Sequence, residues 1–425
     1  MRLLHLADLH LDAPFAGRTS ELRSRLRQGA RDAVSAAVSV AMDEGVDAVL
    51  IAGDLLDGEH LSWATERHLL AELDRLGEAG ISVIYVTGNH DPGARTGVVS
   101  RIPWPGHVHV IADAEPVQVE VSRDGDPVGV VTGAGHPTDR YGEDLSRSFP
   151  RPRGPLPQVG LLHTQVGGAP GEEDHHRYAP SELSRLESSG HQYWALGHIH
   201  LRQKLSGSPP IFYSGNLMGR NPRETGAKGG LLVDLADPKN PSVEFVELAP
   251  LRWERLRVEG LEEADRLDGV TRRVEEAWRQ ARDRDPGRPG TDWLVRVELA
   301  GSSPLHRTLQ AEEERESMAE ALTTSLGLLD VEVRAGDLRP LRRVEPHLDR
   351  QDVLGESLRL LRRITEGVEE PGSPPPASPA EELSLDPEEL AGFDPEAHGT
   401  LDEYVRSLLD GEEASVVDVF LDDGS

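Results

Sequence analysis

Apolar positions along the chain fall into two alternating patterns. Short β-branched runs at Leu3–Leu6, Ala48–Ala52 and Ile81–Val86 read as buried strands. Between them Leu22, Leu26, Ala30, Ala33, Ala37 and Ala41 recur every three or four residues, which predicts a helix from about Ser20 to Glu44. A second helix follows near Thr65–Glu78. Strand, helix, strand, helix, strand is the order of a layered α/β domain. Beyond Val108, runs at Val117–Val121, Val128–Val131, Gly160–His163, Tyr193–Leu196, Ile211–Tyr213 and Leu231–Leu235 predict a second sheet packed on the first.

From about Leu251 the texture changes. A strand at Trp253–Val258, an Arg/Glu-laced helix at Leu261–Arg284, a strand at Trp293–Leu299, a helix at Glu312–Ser325 and a strand at Val331–Arg334 predict a small α+β domain. Within His347–Glu366, Val353, Leu354, Leu358 and Leu361 share one helical face. Residues 370–379 are a Pro-rich linker by composition. After it Thr400 and Glu403 form a capping box, and Leu401, Tyr404, Val405, Leu408 and Leu409 line a short helix. The expected organisation is a domain over 1–250, an α+β capping domain over 251–340, a helical docking segment over 341–369, and a linker with an otherwise disordered acidic tail over 370–425.

The absence of cysteine excludes disulfides, thiolate zinc sites, iron–sulfur clusters and cysteine nucleophiles, so a metal site must use His, Asp, Glu or Asn. The formal charge of −30 argues against nucleic acid only if it is evenly spread. It is not: Glu366 to Ser425 holds 18 acids and one base, Arg406, leaving −13 on residues 1–365. The start lacks an uninterrupted apolar stretch and no apolar run is long enough to span a bilayer, so a cytoplasmic protein off the membrane is expected.

Five short clusters sit at predicted strand ends: Asp8-Leu9-His10, Gly53-Asp54-Leu55-Leu56-Asp57, Gly88-Asn89-His90-Asp91, His163, and Gly197-His198-Ile199-His200. Each offers hard oxygen or imidazole nitrogen, and α/β proteins place ligands on loops at strand ends. In three of them Gly directly precedes the ligand, implying tight turns. The set suits a dinuclear metal site, which needs one bridging carboxylate and separate ligands for each ion. Asp54 is the candidate bridge; Asp8, His10 and His200 would surround one ion and Asn89, His163 and His198 the other. Mixed imidazole, carboxylate and amide donors favour Mn²⁺, with Fe²⁺ or Zn²⁺ as substitutes.

In that order, these clusters resemble the calcineurin-like metallophosphoesterases over about residues 1–235. Leu4–Phe15 and Tyr213–Gly229 are similar to the DNA repair exonucleases of the SbcD and YhaO type. The resemblance implies a four-layer phosphoesterase domain, a capping domain, and a C-terminal docking segment for an SbcC-like coiled-coil ATPase; it leaves a homodimer open. It assigns the metal ligands to the same seven residues, catalysis to His90, and the orienting of His90 to Asp91. Asp57 and Asn221 stand where relatives carry histidine, with His60 as a weak substitute for the first. Arg220, Arg223 and Lys228 are candidate DNA contacts. His175-His176 reads as a solvated loop.

The expected function is a Mn-dependent DNA exonuclease or endonuclease in double-strand break repair. The alternatives are a phosphoesterase of small nucleotides or phosphoproteins, and a DNA-end scaffold that does not cut. Gly58 and Asp91 stand where phosphoprotein phosphatases carry Arg and Glu, which counts against that branch.

Overall fold

The computed structural model describes all residues except 59, 94–96, 172–177, 367–377, 384, 386–392, 394–398 and 423–425. The His175-His176 pair and most of the Pro-rich linker lie outside the described residues. The chain forms two compact units, Met1–Glu254 with Gly287–Leu294, and Arg255–Pro286 with Val295–Ser425.

Among its described residues the first unit has the strands β1 (Arg2–Leu6), β2 (Ala48–Ala52), β3 (Ser82–Val86), β4 (Val108–Ile111), β5 (Val117–Arg123), β6 (Asp126–Ala134), β7 (Gln158–His163), β8 (Tyr193–Gly197), β9 (Gln203–Gly207), β10 (Pro210–Tyr213), β11 (Gly229–Asp234) and β12 (Ser242–Glu247). They make two six-stranded sheets in the orders β12-β11-β1-β2-β3-β4 and β5-β6-β7-β8-β10-β9. β1 to β4 are parallel, as are β6, β7 and β8. Such strands are buried on both faces, which is why they read as continuous apolar runs. Leu50, Ile84 and Val86 of one sheet and Val131, Val159 and Leu161 of the other share the central core.

Helices α1 (Ser20–Asp43) and α2 (Trp63–Glu78) cover the first sheet, capped by Thr19 and Ser62. Between them and the sheet lie Val34, Val38, Leu69, Leu73, Val49 and Ile51. On the far side, Trp194, Leu196 and Tyr213 pack with Leu145 and with Leu186 of α3 (Leu183–Ser188). The result is a four-layer α/β sandwich. One pairing differs from the sequence reading: β11 returns antiparallel beside β1, in the first sheet, with His5 opposite Leu231. Strand periodicity fixes which face is buried and says nothing about which neighbour the strand joins.

The second unit holds most of a three-stranded sheet, β13 (Leu251–Val258), β14 (Asp292–Ser303) and β15 (Asp330–Pro340), in that order, the first residues of β13 and β14 belonging to the first unit. With it go α4 (Leu267–Arg284), α5 (His306–Gln310), α6 (Glu312–Leu326) and α7 (Val353–Glu366). α4 starts six residues later than periodicity predicts, because Leu261 is buried from a turn rather than from a helical face. The capping box at Thr400 and Glu403 is present. The tail holds a further helix, Glu413–Asp422, absent from the sequence reading, and its Val417 packs on Leu354 and Leu358 of α7. Among the described residues no helix is long and apolar enough to cross a membrane.

Candidate metal centre

Parallel strands deliver their C-terminal ends to one edge, and there the five clusters meet. Asp8 and His10 follow β1, Asp54 follows β2, Asn89 and His90 follow β3, His163 ends β7, and His198 and His200 follow β8. The backbone turns sharply at these points: Asp8, His10, Asp54 and His198 have φ of 51°, 44°, 49° and 107°. Non-glycine residues seldom occupy that region, and they cluster there at functional sites. Of the three glycines preceding ligands, only Gly53 has positive φ. Gly88 and Gly197 are required by close approach instead: a Cβ would strike the Asp54 carboxylate or the Ala52 carbonyl.

Asp8, His10 and His200 each offer a ligand atom within 4.8 Å of the others, and so do Asp8, Asp54 and His163. Nε2 of His10 faces Nε2 of His200 at 3.2 Å, and Asp8 Oδ1 lies 3.8 Å from the latter. The second group is closed by Asn89, whose Oδ1 is 2.9 Å from His163 Nε2 and 3.1 Å from His198 Nδ1. Asp54 Oδ2 stands between the groups, 3.5 Å from His163 Nε2 and 3.7 Å from His10 Nε2.

The hydrogen bonds on the far side of two of the rings test whether this set fits cations. His200 Nδ1 donates to the Glu224 carboxylate at 2.8 Å and His163 Nδ1 to the Ala52 carbonyl at 2.9 Å. Those partners only accept, so the protons sit on Nδ1 and the Nε2 lone pairs point inward. Lone pairs and carboxylates therefore face one another, which is the donor set divalent cations take. Burial and neighbouring positive groups push His10 and His163 well below the usual imidazole range, toward neutrality. Burial, then the charge of Asp54, pushes Asp8 up, and burial does the same to Asp54.

His90 lies at the rim, its side chain 41% exposed, with Nδ1 2.7 Å from Asp57 Oδ1. The same oxygen is 3.4 Å from His10 Nδ1. Burial works against ionisation of Asp57, but these imidazoles hold it well below the carboxylate range. Asp57 also raises His90, against the effect of burial. Asp91 does not orient His90. It turns into the core, accepting from Gly88 N at 2.8 Å, Leu56 N at 3.0 Å and the Tyr85 hydroxyl at 2.6 Å. His60 is exposed and contributes nothing to the cluster.

A pocket of about 820 Å³ opens above Asp54, Asn89, His90, His198 and His200. Arg220, Arg223 and Lys228 line it, as do Arg140 and Tyr178, which sequence reasoning passed over. The three bases differ in kind. Lys228 is buried and its ammonium donates to the His200 carbonyl at 3.2 Å, so it belongs to the frame of the site. Arg220 is partly exposed, 3.9 Å from Asp57, and Arg223 is exposed. Asn221 serves its own turn, accepting from Arg223 N.

Residues 1–202 match the calcineurin-like phosphoesterase family, and residues 253–333 match the middle domain of the metallophosphoesterase YhaO. The chain is 32% identical over 344 residues to the uncharacterized metallophosphoesterase YhaO of Bacillus subtilis, covering 78% of this chain and 81% of that protein. It is 28% identical over 267 residues to the SbcD component of the nuclease SbcCD of the same organism, covering 55% and 66%. To the DNA double-strand break repair protein Mre11 of Sulfolobus acidocaldarius it is 24% identical over 327 residues, covering 72% and 77%.

Proposed function

From a chain that belongs to the calcineurin-like metallophosphoesterases, metal-dependent hydrolases of phosphoesters, we propose a Mn²⁺-dependent DNA nuclease acting in double-strand break repair with an SbcC-like ATPase. The observation that carries the reading is the inward-facing set of acceptors: Asp8, His10, His200 and Asn89, His163, His198 on either side of Asp54. The likeness to SbcD and Mre11 supports DNA as substrate and an ATPase as partner.

Two divalent ions held by these seven residues would polarise a phosphoryl oxygen and acidify bound water. The chain's own residues do the rest. Asp57 accepts the Nδ1 proton of His90 and favours its imidazolium form, whose second proton, on Nε2, would go to the departing sugar oxygen and leave a neutral ring. Arg220 and Arg223 supply planar, permanently charged donors to backbone phosphates beside the centre. Lys228 and Glu224 hold His200 from its carbonyl and its ring.

The test is cleavage of end-labelled linear duplex and single-stranded DNA by the full chain with Mn²⁺, Mg²⁺ or EDTA, beside bis-p-nitrophenyl phosphate. The expected result is Mn²⁺-dependent cleavage abolished by Asp54→Ala together with metal binding, and lost in His90→Ala with metal retained. Hydrolysis of the small diester alone, with DNA untouched even when the ATPase is added, overturns DNA as substrate. Tight DNA-end binding without any hydrolysis favours the scaffold reading.

A further inference from the structure

Glu224 sits in the segment Tyr213–Gly229, outside the ligand clusters, and every hydrogen bond it accepts points at one task. Its Oε1 takes the Nδ1 proton of His200 at 2.8 Å. Its Oε2 takes Asn216 Nδ2 at 2.8 Å and Arg220 N at 2.6 Å, which locks the carboxylate in place. The Arg220 Nε is 3.9 Å from Oε1, beyond hydrogen-bond reach, so Glu224 is not chiefly the ion-pair partner of that arginine. The same segment also grips His200 by its carbonyl, through Asn216 N at 3.3 Å and the Lys228 ammonium at 3.2 Å.

We infer that Glu224 is a positioning residue of the metal centre, holding the His200 proton on Nδ1 so that Nε2 faces Asp8 and His10 as a lone-pair donor. The inference rests on the reading of Asp8, His10 and His200 as ligands. Its logic lies in the acceptor count. A carboxylate can accept on both oxygens at once, and three donors converge on it. Glutamine cannot: if its oxygen serves Asn216 and Arg220, its amide donates to His200 Nδ1 and drives the proton to Nε2, where it blocks a cation.

The experiment is a Mn²⁺ titration of the full chain, followed by the spectrum of free Mn²⁺, for wild type and Glu224→Gln. Loss of such a partner weakens a metal by about 10–100-fold. One Mn²⁺ equivalent should weaken to that extent in Glu224→Gln while the other keeps its wild-type affinity. Two equivalents as tight as in wild type overturn the inference, as does an equal weakening of both together with a lower melting temperature of the metal-free protein, since that is a folding effect. A wild-type chain that takes up no Mn²⁺ overturns the ligand reading itself, a distinguishable failure. Should Glu224→Gln not fold, ¹⁵N-histidine spectra of the Zn²⁺-loaded wild type decide: His200 protonated on Nδ1 supports the inference, and on Nε2 overturns it.

Discussion

Asp57→Asn removes one charge and almost no volume, and it isolates what the carboxylate does for His90. The Asp57 oxygen is 2.7 Å from His90 Nδ1, a short charge-assisted contact, and the side chain is only 11% exposed, so solvent does little to screen it. Without it the ring loses both its orientation and its preference for the charged form. General acid catalysis contributes about 10²–10⁴-fold, so the amide should lower kcat by roughly 10²–10³-fold, or about 3–4 kcal/mol of barrier. The effect must depend on the leaving group. In bis-p-nitrophenyl phosphate the departing phenolate needs no proton, whereas in a thymidine dinucleotide the departing alkoxide does. Both are assayed at saturating Mn²⁺, because Asp57 also lies 3.4 Å from His10. The loss should be larger for the dinucleotide, and His90→Ala with Asp57→Asn should be no worse than His90→Ala alone. Equal losses on both substrates, or losses that multiply in the double variant, would refute the dyad.

Asp91→Asn should act on stability rather than chemistry. Its carboxylate accepts from Gly88 N, Leu56 N and the Tyr85 hydroxyl in the core, and stranding one or two of those donors costs about 2–4 kcal/mol, read by urea unfolding of the metal-free chain. A change below about 0.5 kcal/mol would contradict this. Gly88→Ala places a Cβ against the Asp54 carboxylate and should cost at least one Mn²⁺ equivalent; two wild-type sites in that variant would show that Asp54 is not the bridge. Asp418, on the helix Glu413–Asp422, is bonded to Arg342 and Arg307, which hold it below the usual range although burial opposes them. A depressed acid stabilises above its unfolded pKa, and that contribution is lost as pH falls through the folded value. Protection factors in this helix, exchange rates normalised to the intrinsic rate at each pH, should be flat from neutral pH down to about 5 and fall below about 4. A fall in protection already between 7 and 5 would contradict the sign.

The centre was legible because its residue types and order carry chemistry independently of distance. Asp8, His10, Asp54, Asn89, His163, His198 and His200 sit where apolar runs end, and parallel strands bring such ends together. Roles within it were less legible. Asp91 adjoins His90 in sequence, yet its side chain turns into the core toward Tyr85, while Asp57 arrives from the loop after β2. Glu224 gave no signal because its role depends on which ring nitrogen of His200 it meets, settled only by packing. Among the strands, β4, β9 and β12 escaped periodicity for a shared reason: each is a sheet edge, half exposed and carrying polar residues such as Gln203 and Lys204. The helix Glu413–Asp422 escaped because Val416-Val417-Asp418-Val419-Phe420 has the composition of a strand; its conformation is set by contact with α7.

Several features that a stable fold ordinarily avoids occur together at this one edge. Four candidate ligands hold left-handed backbone, at about 1–3 kcal/mol each. Asp8 and Asp54 are buried; beyond the amides of His198 and His90 that donate to them, the groups facing them at 3.5–3.9 Å are the imidazoles of His10 and His163, which burial drives toward neutrality, and His200, rather than guanidiniums. Gly53, Gly88 and Gly197 give up side chains so that His163, the Asp54 carboxylate and the Ala52 carbonyl can come within contact distance of the backbone. A structural polar core would be arranged the other way, with buried carboxylates matched to guanidiniums, as Asp47 is to Arg123 in the same unit. Buried carboxylates without a guanidinium, compressed glycines and strained turns are each tolerable alone. Their convergence around Asp54 follows from one requirement, that positive charge be held between the two sheets' strand ends, and it is that requirement which separates this edge from the rest of the sandwich.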